Sequence, residues 1–165
     1  MKVAADSVPA SREQFMRVAL KMAERGMAAG GPPVGACIVR AGDVLTSSHN
    51  QVVSDLDITA HAEVVAIRQA CAELRALALT GCTLYVSVEP CPMCLSACHY
   101  AGIDAIVYGA SLSDMQAVTG TELCVSAEQL FAGHADAIRL HGGVLAEESR
   151  TLLAAWRTGR GAGRP

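Results

Sequence analysis

Residues 82–94 have the sequence CTLYVSVEPCPMC and predict a buried strand that leads directly into a helix. The first seven of these residues are rich in β-branched and aromatic side chains, which favour a strand. Pro90 and Pro92 then mark the start of a helix, because proline is tolerated in the first helical turn. A strand followed at once by a helix is the unit from which α/β proteins are built.

The rest of the chain continues this alternation of helices and strands. Ser11 and Gln14 form a capping-box pattern, and the apolar residues behind them recur at helical spacing over residues 12–28. The further predicted elements are a hairpin (34–39 and 44–48), a polar loop (49–58), a helix from Thr59, the strand and helix of residues 82–102, a strand (105–108), a polar irregular segment (111–122), a short helix opening at Ser126, a strand (137–140) and a helix (147–156). Strands joined by helical crossovers are expected to be parallel, so this order predicts an α/β three-layer sandwich. We expect one domain over residues 1–157 and a flexible tail at 158–165.

The composition fits a globular protein of a reducing compartment. The chain has no apolar run of the roughly 20 residues that a membrane helix needs, and residues 1–10 lack the apolar core of a secretory signal. Its seven cysteines are odd in number and lie mostly in apolar runs, which suits a cytoplasmic protein. The net charge of −3 argues against a nucleic-acid partner, although a local basic patch could still exist.

Two short motifs carry the groups that can bind a metal ion. The motif TAHAE contains His61 and Glu63, and the motif EPCPMC contains Cys91 and Cys94. A zinc ion that catalyses hydrolysis needs three protein ligands and one open position for water. His61, Cys91 and Cys94 can supply the three ligands, and Glu63 can transfer protons. The pattern H-x-E followed by P-C-x-x-C is a signature of zinc deaminases, in which the glutamate is the general acid and base.

The predicted helix starts favour this metal site. Both motifs fall in the first turn of a helix, where free N–H groups and partial positive charge lower the pKa of a cysteine. Cys91 and Cys94 are three residues apart, so both can reach one ion from the same helical face. Two alternatives remain open: a C-x-x-C redox pair, and a structural zinc with Cys98 as its fourth ligand. Glu63 argues against a non-catalytic, zinc-stabilised module, which has no need of a carboxylate beside the metal.

Both motifs together make the chain resemble the cytidine deaminase superfamily over about residues 11–157. The resemblance implies a three-layer α/β/α sandwich with a central mixed five-stranded sheet, one Zn²⁺ per subunit and a homodimer. It also implies that hydroxide held by zinc attacks the amidine carbon of an amino-substituted ring. Glu63 would then move a proton from the water to the ring nitrogen and help to protonate the departing ammonia. The backbone N–H of Ala62 would face the attacked carbon.

The segments 59–64 and 89–95 resemble those of bacterial guanine deaminases in particular. That resemblance implies three further substrate-side residues. Asp114 would contact the purine or carry a second proton, its alternative being a solvated loop residue. Asn50 would hydrogen-bond the base, its alternative being a turn-forming residue. Tyr100 would stack on the base, its alternative being a core residue.

Other segments are similar to the tRNA adenosine deaminases, notably residues 33–36 and 143–148 with the helix that follows. The basic cluster of those enzymes is reduced here to Arg157 and Arg160, and Gly102 stands where both groups usually place an arginine. We therefore expect a small nucleobase substrate, guanine first, which would give xanthine and ammonia. Wobble adenosine in tRNA, cytosine and nucleosides remain alternative substrates.

Overall fold

The computed structural model describes residues 11–134 and 138–159 of the chain. Five strands form one mixed sheet in the order β2-β1-β3-β4-β5. They are β1 Gly35–Arg40, β2 Asp43–His49, β3 Cys82–Val88, β4 Ala105–Ala110 and β5 Arg139–His141. Strand β1 pairs antiparallel with β2 and β3, whereas β3, β4 and β5 run parallel. The predicted α/β fold with a mixed five-stranded sheet is confirmed.

Helices cover both faces of this sheet. They are α1 Arg12–Ala28, α2 Val52–Asp55, α3 Ala62–Leu74, α4 Pro92–Tyr100, α5 Leu112–Thr119, α6 Ala127–Leu130 and α7 Ala146–Gly159. Successive strand residues point to opposite faces, and β3 shows the result. Leu84 and Val86 pack in the core cluster that contains α3 and α4, while Tyr85 packs on the other face with Phe15 of α1.

Helix α1 lies directly on the first strand. A side chain on Gly35 would place its Cβ 2.2 Å from the carbonyl oxygen of Ala19 and 2.3 Å from the backbone nitrogen of Ala23. The capping box at Ser11 and Gln14 is present at the start of this helix. The close approach fixes α1 against β1 and leaves the opposite face of the sheet to α3 and α4.

The carboxyl ends of the parallel strands β3 and β4 meet at one edge of the sheet. Each strand passes within a few residues into a helix, β3 into α4 and β4 into α5. The backbone N–H of Glu89 donates to the carbonyl of Ala110 at 2.8 Å and joins the two strand ends. Loops at the carboxyl ends of parallel strands are a common location for binding sites in α/β sheets.

Several sequence expectations are wrong in detail. The segment 111–122 is not irregular, because Ser111 and Asp114 form a capping box that starts α5. The loop 49–58 contains the short helix α2. Helix α7 continues to Gly159, inside the tail expected from residue 158. The remaining tail residues, 160–165, and residue 137 of the predicted last strand lie outside the described residues, as do residues 1–10.

Two further features concern the cysteines and the helices. All seven cysteines are free thiols. None of the helices in the described ranges is long and apolar enough to span a membrane.

Candidate active site

Three predicted metal ligands come together at the starts of two helices. His61 is the N-cap of α3, Cys91 is the N-cap of α4, and Cys94 lies in the first turn of α4. The Nδ1 atom of His61 is 3.7 Å from Sγ of Cys91 and 3.5 Å from Sγ of Cys94, and the two sulfur atoms are 3.7 Å apart. In tetrahedral zinc, bonds of about 2.3 Å place two sulfur ligands about 3.8 Å apart. The donor set and its spacing therefore fit zinc.

The cluster offers three protein ligands and not four. Among the described residues, the group of ligand atoms within 4.8 Å of one another consists of His61, Cys91 and Cys94. Cys98, the candidate fourth ligand, is fully buried in the core on the next turn of α4. A structural zinc site is closed by four protein ligands, whereas a catalytic one keeps a position for water. The arrangement is that of an open site.

The hydrogen bonds within the cluster favour the thiolate at Cys91 and the thiol at Cys94, because the hydrogen bond to Cys91 raises the pKa of Cys94. The hydrogen bond between the two thiols, with a further one to His61, lowers the pKa of Cys91 to about 4. The hydrogen bond to Cys91 raises the pKa of His61. The thiolate is the form of cysteine that binds a metal. Cys91 thus already has the charge that a zinc ligand needs.

Glu63 lies in the first turn of α3 and is 3% exposed. Burial is the main cause that raises the pKa of its carboxyl group to about 7. Its Oε2 atom has no hydrogen-bond partner among the described residues. A buried polar atom without a partner is costly, so this oxygen is suited to meet a water or a substrate atom. A pKa near 7 suits a group that must both accept and donate a proton.

A cavity of about 590 Å³ opens above the metal cluster. His61, Glu63 and Cys91 line its floor. The rest of its lining comes from other segments: Pro32 and Val34 before β1, Asn50, Val52, Val53 and Ile58 around α2, Val88 and Glu89 at the end of β3, Leu112, Met115, Val118 and Thr119 of α5, Thr121 and Glu122 after it, and Trp156 and Arg157 of α7. The volume lies in the range of small-molecule sites.

Two of the predicted substrate-side residues lie at or beside this cavity. Asn50 lines it and is 7% exposed, and its Oδ1 accepts a hydrogen bond from the backbone N–H of Val52 at 3.1 Å. The turn-forming contact is therefore present, while the side chain still faces the cavity. Ala62 is fully buried at the first position of α3, beside His61.

The structure does not bring Asp114 to the cavity, contrary to expectation. Its Oδ2 accepts hydrogen bonds from the backbone N–H and the hydroxyl of Ser111 at 2.8 and 2.9 Å. The same oxygen is 3.6 Å from the guanidinium of Arg150 on α7. The bond from the Ser111 backbone is the main cause that lowers the pKa of Asp114. Because helix α5 turns this side chain toward its own N-terminus, Asp114 is absent from the cavity lining.

Tyr100 is also outside the cavity. It is the last residue of α4, beyond the turn that carries Cys98, and it is 86% exposed. The tyrosine neither lines the cavity nor fills the core. Stacking on a base by this residue has no support within the described chain.

Glu122 is a cavity residue that the sequence reasoning missed. Its Oε1 accepts a hydrogen bond from the hydroxyl of Thr119 at 3.0 Å, and its backbone N–H donates to the side chain of Gln116. Gly120, with φ of 71°, ends α5 and turns the chain back toward the cavity. A helix between the Ser111 cap and this glycine was the available signal. It would have placed Asp114 in the first turn of a helix and Glu122 just after the end of that helix.

Comparisons with known proteins agree with this geometry. The profile of the cytidine and deoxycytidylate deaminase zinc-binding region matches residues 9–110. The chain is 46% identical over 105 residues to guanine deaminase of Bacillus subtilis, covering 63% of this chain and 67% of the relative. It is 43% identical over 99 residues to tRNA-specific adenosine deaminase of Aquifex aeolicus, covering 60% of this chain and 66% of the relative. These alignments thus span about two thirds of each relative.

The solved structure of guanine deaminase from Nitrosomonas europaea superposes with a TM-score of 0.83 at 28% identity. It covers 92% of this chain, and the match spans 87% of that protein. The likeness in fold therefore extends past the ligand motifs into the later helices.

Proposed function

This chain belongs to the cytidine and deoxycytidylate deaminase zinc-binding family, and we propose that it deaminates a free nucleobase, guanine first, to xanthine and ammonia. We infer one zinc ion per subunit, held by His61, Cys91 and Cys94. The observation that carries the proposal is the buried Glu63 carboxylate beside this cluster on the floor of one cavity. Metal ligands, a proton carrier and room for a planar base are present together.

The roles of the chain's own groups follow from their positions. A bound zinc ion would supply an activated water. Glu63 would take a proton from this water and deliver it to the ring nitrogen next to the attacked carbon. It would then pass the second proton of the water to the amino group, which leaves as ammonia. The carbon loses its amino nitrogen and gains oxygen, so guanine and water balance xanthine and ammonia.

The charges of the cavity support a small, phosphate-free substrate. Glu63, Glu89 and Glu122 line it, against one guanidinium, that of Arg157. Carboxylates repel phosphates, whereas nucleic-acid sites carry clustered Lys and Arg. Free guanine has ring N–H groups that can donate hydrogen bonds to a carboxylate. Adenosine has no ring N–H, because its N9 carries the sugar. Glu122 is suited to the recognition role first expected of Asp114.

Wobble adenosine in tRNA is the second candidate substrate. Arg157 lines the cavity next to Trp156, and a cation at that position can meet a backbone phosphate. An aromatic side chain beside it can stack on a neighbouring base. Cytosine and nucleosides are further alternative substrates for the same chemistry.

We also propose a cytoplasmic homodimer. Helix α4 carries the exposed Tyr100 and the partly exposed Met93 on its outer side. Apolar area of this kind is enriched at subunit interfaces. Sedimentation of the protein would show a dimer, and Tyr100→Glu is expected to shift it to monomer. A monomeric wild type would contradict this part of the proposal.

The experiment that tests the function measures ammonia release by the zinc-loaded protein with guanine, cytosine, adenine and their nucleosides. An anticodon stem-loop is assayed in parallel for inosine. We expect turnover of guanine and an unchanged stem-loop, with Glu63→Gln as the inactive control. Inosine formed in the stem-loop, with no free base consumed, would replace the proposal by the second candidate.

A further inference from the structure

We propose that Glu89 is a positioning residue that holds the substrate side of the cavity to the metal-binding loop. This substrate side, the substrate wall, consists of Leu112, Met115, Val118, Thr119 and Glu122. Its first four residues lie on one face of α5, and Glu122 follows the end of that helix. The position of α5 therefore decides where the wall stands relative to the metal ligands.

Glu89 bonds to both elements that lead into the wall. It stands two residues before the ligand Cys91, at the end of β3. Its backbone N–H donates to the carbonyl of Ala110, the last residue of β4, at 2.8 Å. Its Oε2 accepts a hydrogen bond from the backbone N–H of Leu112, the first residue of α5, at 2.9 Å. One residue thus links the loop that carries Cys91, the end of β4 and the start of α5.

The contact to Leu112 is of a strong kind. The first N–H groups of a helix have no partner within the helix, and a carboxylate there is favoured by the partial positive charge of the helix N-terminus. Hydrogen bonds to an ionised acceptor are about twice as strong as neutral ones. Ser111 accepts from the N–H of Asp114 in the same turn. Glu89 and Ser111 therefore share the capping of α5, but Glu89 does so from the metal loop.

A second polar contact joins the start of α5 to helix α7. Asp114 in the first turn of α5 pairs with Arg150 of α7 at 3.6 Å. This pair is partly exposed, and exposed pairs hold weakly. The bond from Glu89 lies beside the cavity and ends on the buried residue Leu112. Loss of that bond would release the start of α5 from the loop that carries Cys91 and would leave the ligand cluster itself unchanged.

The kinetic consequence rests on the proposed function, while the contact itself can be tested without turnover. Glu89→Ala is expected to raise KM for guanine about tenfold, with kcat within about threefold of wild type. Glu89→Gln keeps an acceptor for the N–H of Leu112 and is expected to restore KM to within about twofold. The matched control is Ser111→Ala, which removes the other cap of α5 but leaves the link to the metal loop. We expect Ser111→Ala to lower Tm by as much as Glu89→Ala, with KM within about twofold of wild type.

Zinc content and amide hydrogen exchange complete the test. Both Glu89 variants are expected to keep the wild-type zinc content. The amide of Leu112 is expected to exchange about tenfold faster in Glu89→Ala and within about threefold of the wild-type rate in Glu89→Gln, whose neutral oxygen accepts a weaker hydrogen bond. A protein that turns over no base would refute the proposed function, and the exchange rates would still test Glu89. Unchanged exchange at Leu112, loss of zinc in Glu89→Ala, an equal rise of KM in Ser111→Ala, or failure of Glu89→Gln to restore KM would overturn the inference.

Discussion

The floor and the substrate wall of the cavity are built in different ways. The floor consists of His61, Glu63 and Cys91 at the starts of α3 and α4, with the fully buried Cys94 beside them. Both helices pack their inner sides into the main core. The wall belongs to α5 and the segment after it. Met115 of this helix reaches the same core, and polar contacts such as that between Asp114 and Arg150 hold the start of the helix to its neighbours. Core packing fixes the helices that carry the chemistry, whereas the position of the wall depends on core packing at Met115 together with individual polar contacts at the start of α5.

This difference has a physical basis. Side chains at a metal must be held within a fraction of an ångström, and burial in a close-packed core achieves this. A surface that selects a substrate can use contacts of modest strength, because discrimination needs only a few kcal/mol. We therefore expect substitutions on the floor to abolish the reaction and those on the wall to change its preference.

The largest effect is expected from removal of a metal ligand. Cys91→Ala is expected to lower zinc to well below one ion per chain and turnover to less than about a thousandth of wild type, because two remaining ligands hold zinc poorly. Elemental analysis and ammonia release would measure both. Cys98→Ala is the control, since this thiol lies on the same helix, one turn beyond Cys94, and outside the cluster. Full zinc content in Cys91→Ala would show that the floor is not the metal site.

The next effect separates chemistry from metal binding on the floor itself. Glu63→Gln is expected to reduce kcat about 10²- to 10⁴-fold, the range for a lost general acid and base, with zinc retained. Zinc analysis, circular dichroism and steady-state kinetics would measure these changes. Glu73→Gln, on the exposed side of the same helix, is expected to behave as wild type. Loss of zinc or of folding in Glu63→Gln would mean that the carboxylate is structural.

A smaller effect is expected on the wall, where two acidic residues can be compared. Glu122→Gln is expected to lower kcat/KM for guanine about tenfold to a hundredfold, because it removes a charged hydrogen-bond acceptor from the cavity. Asp114→Asn is expected to change it less than about threefold, since this carboxylate faces Ser111 and Arg150. Kinetics with guanine measure both variants. The reverse order would return Asp114 to the substrate role that the sequence indicated.

The smallest effect concerns the stability of the wall and its dependence on pH. The pKa of Asp114 is lowered in the folded protein, so its contribution to stability is present above the unfolded pKa, about 3.9. This contribution is lost as the pH falls through the lower folded value. Asp114→Asn is expected to reduce the free energy of unfolding by about 1 kcal/mol at pH 7, with the difference from wild type vanishing toward pH 2. Urea unfolding at several pH values would measure it.

Asp43→Asn, at the exposed first residue of β2, is the control for that measurement. It is expected to leave the free energy of unfolding within about 0.5 kcal/mol of wild type. An Asp114→Asn difference that stays constant down to pH 2 would show that the charge of Asp114 does not support α5.

The floor could be predicted from the sequence because each half of it is local. The spacing of His61 and Glu63 in one motif, and of Cys91 and Cys94 in the other, places each pair within one helical turn, and a shared metal then demands that the turns meet. The structure brings these four residues together, and their roles stay predictions until zinc and turnover are measured. The parallel pairing of β3, β4 and β5 also followed from local patterns, because helical crossovers between strands favour parallel pairing.

The wall could not be predicted in the same way. Ser111 and Asp114 are polar, and the segment around them was therefore predicted to be irregular. At a spacing of three positions, however, a serine and an acidic residue can also form the cap that begins a helix. Which of Asp114 and Glu122 faces the cavity depends on the direction in which α5 leaves β4, and this is a tertiary property. The position of Tyr100 outside the cavity could not be predicted for a related reason. The side of α4 on which this residue lies is decided by packing against the sheet and not by its distance in sequence from Cys94.

The order of these parts along the chain has an evolutionary consequence. His61, Glu63, Cys91 and Cys94 all precede the end of β4, and the wall follows it. A single recombination event within β4 would therefore join an intact hydrolytic centre to a foreign recognition segment. Strand β4 is buried on both faces and pairs with neighbours on both sides, so the junction would be accommodated if strand length and register were kept. New substrates could arise in such a lineage by exchange of its C-terminal third.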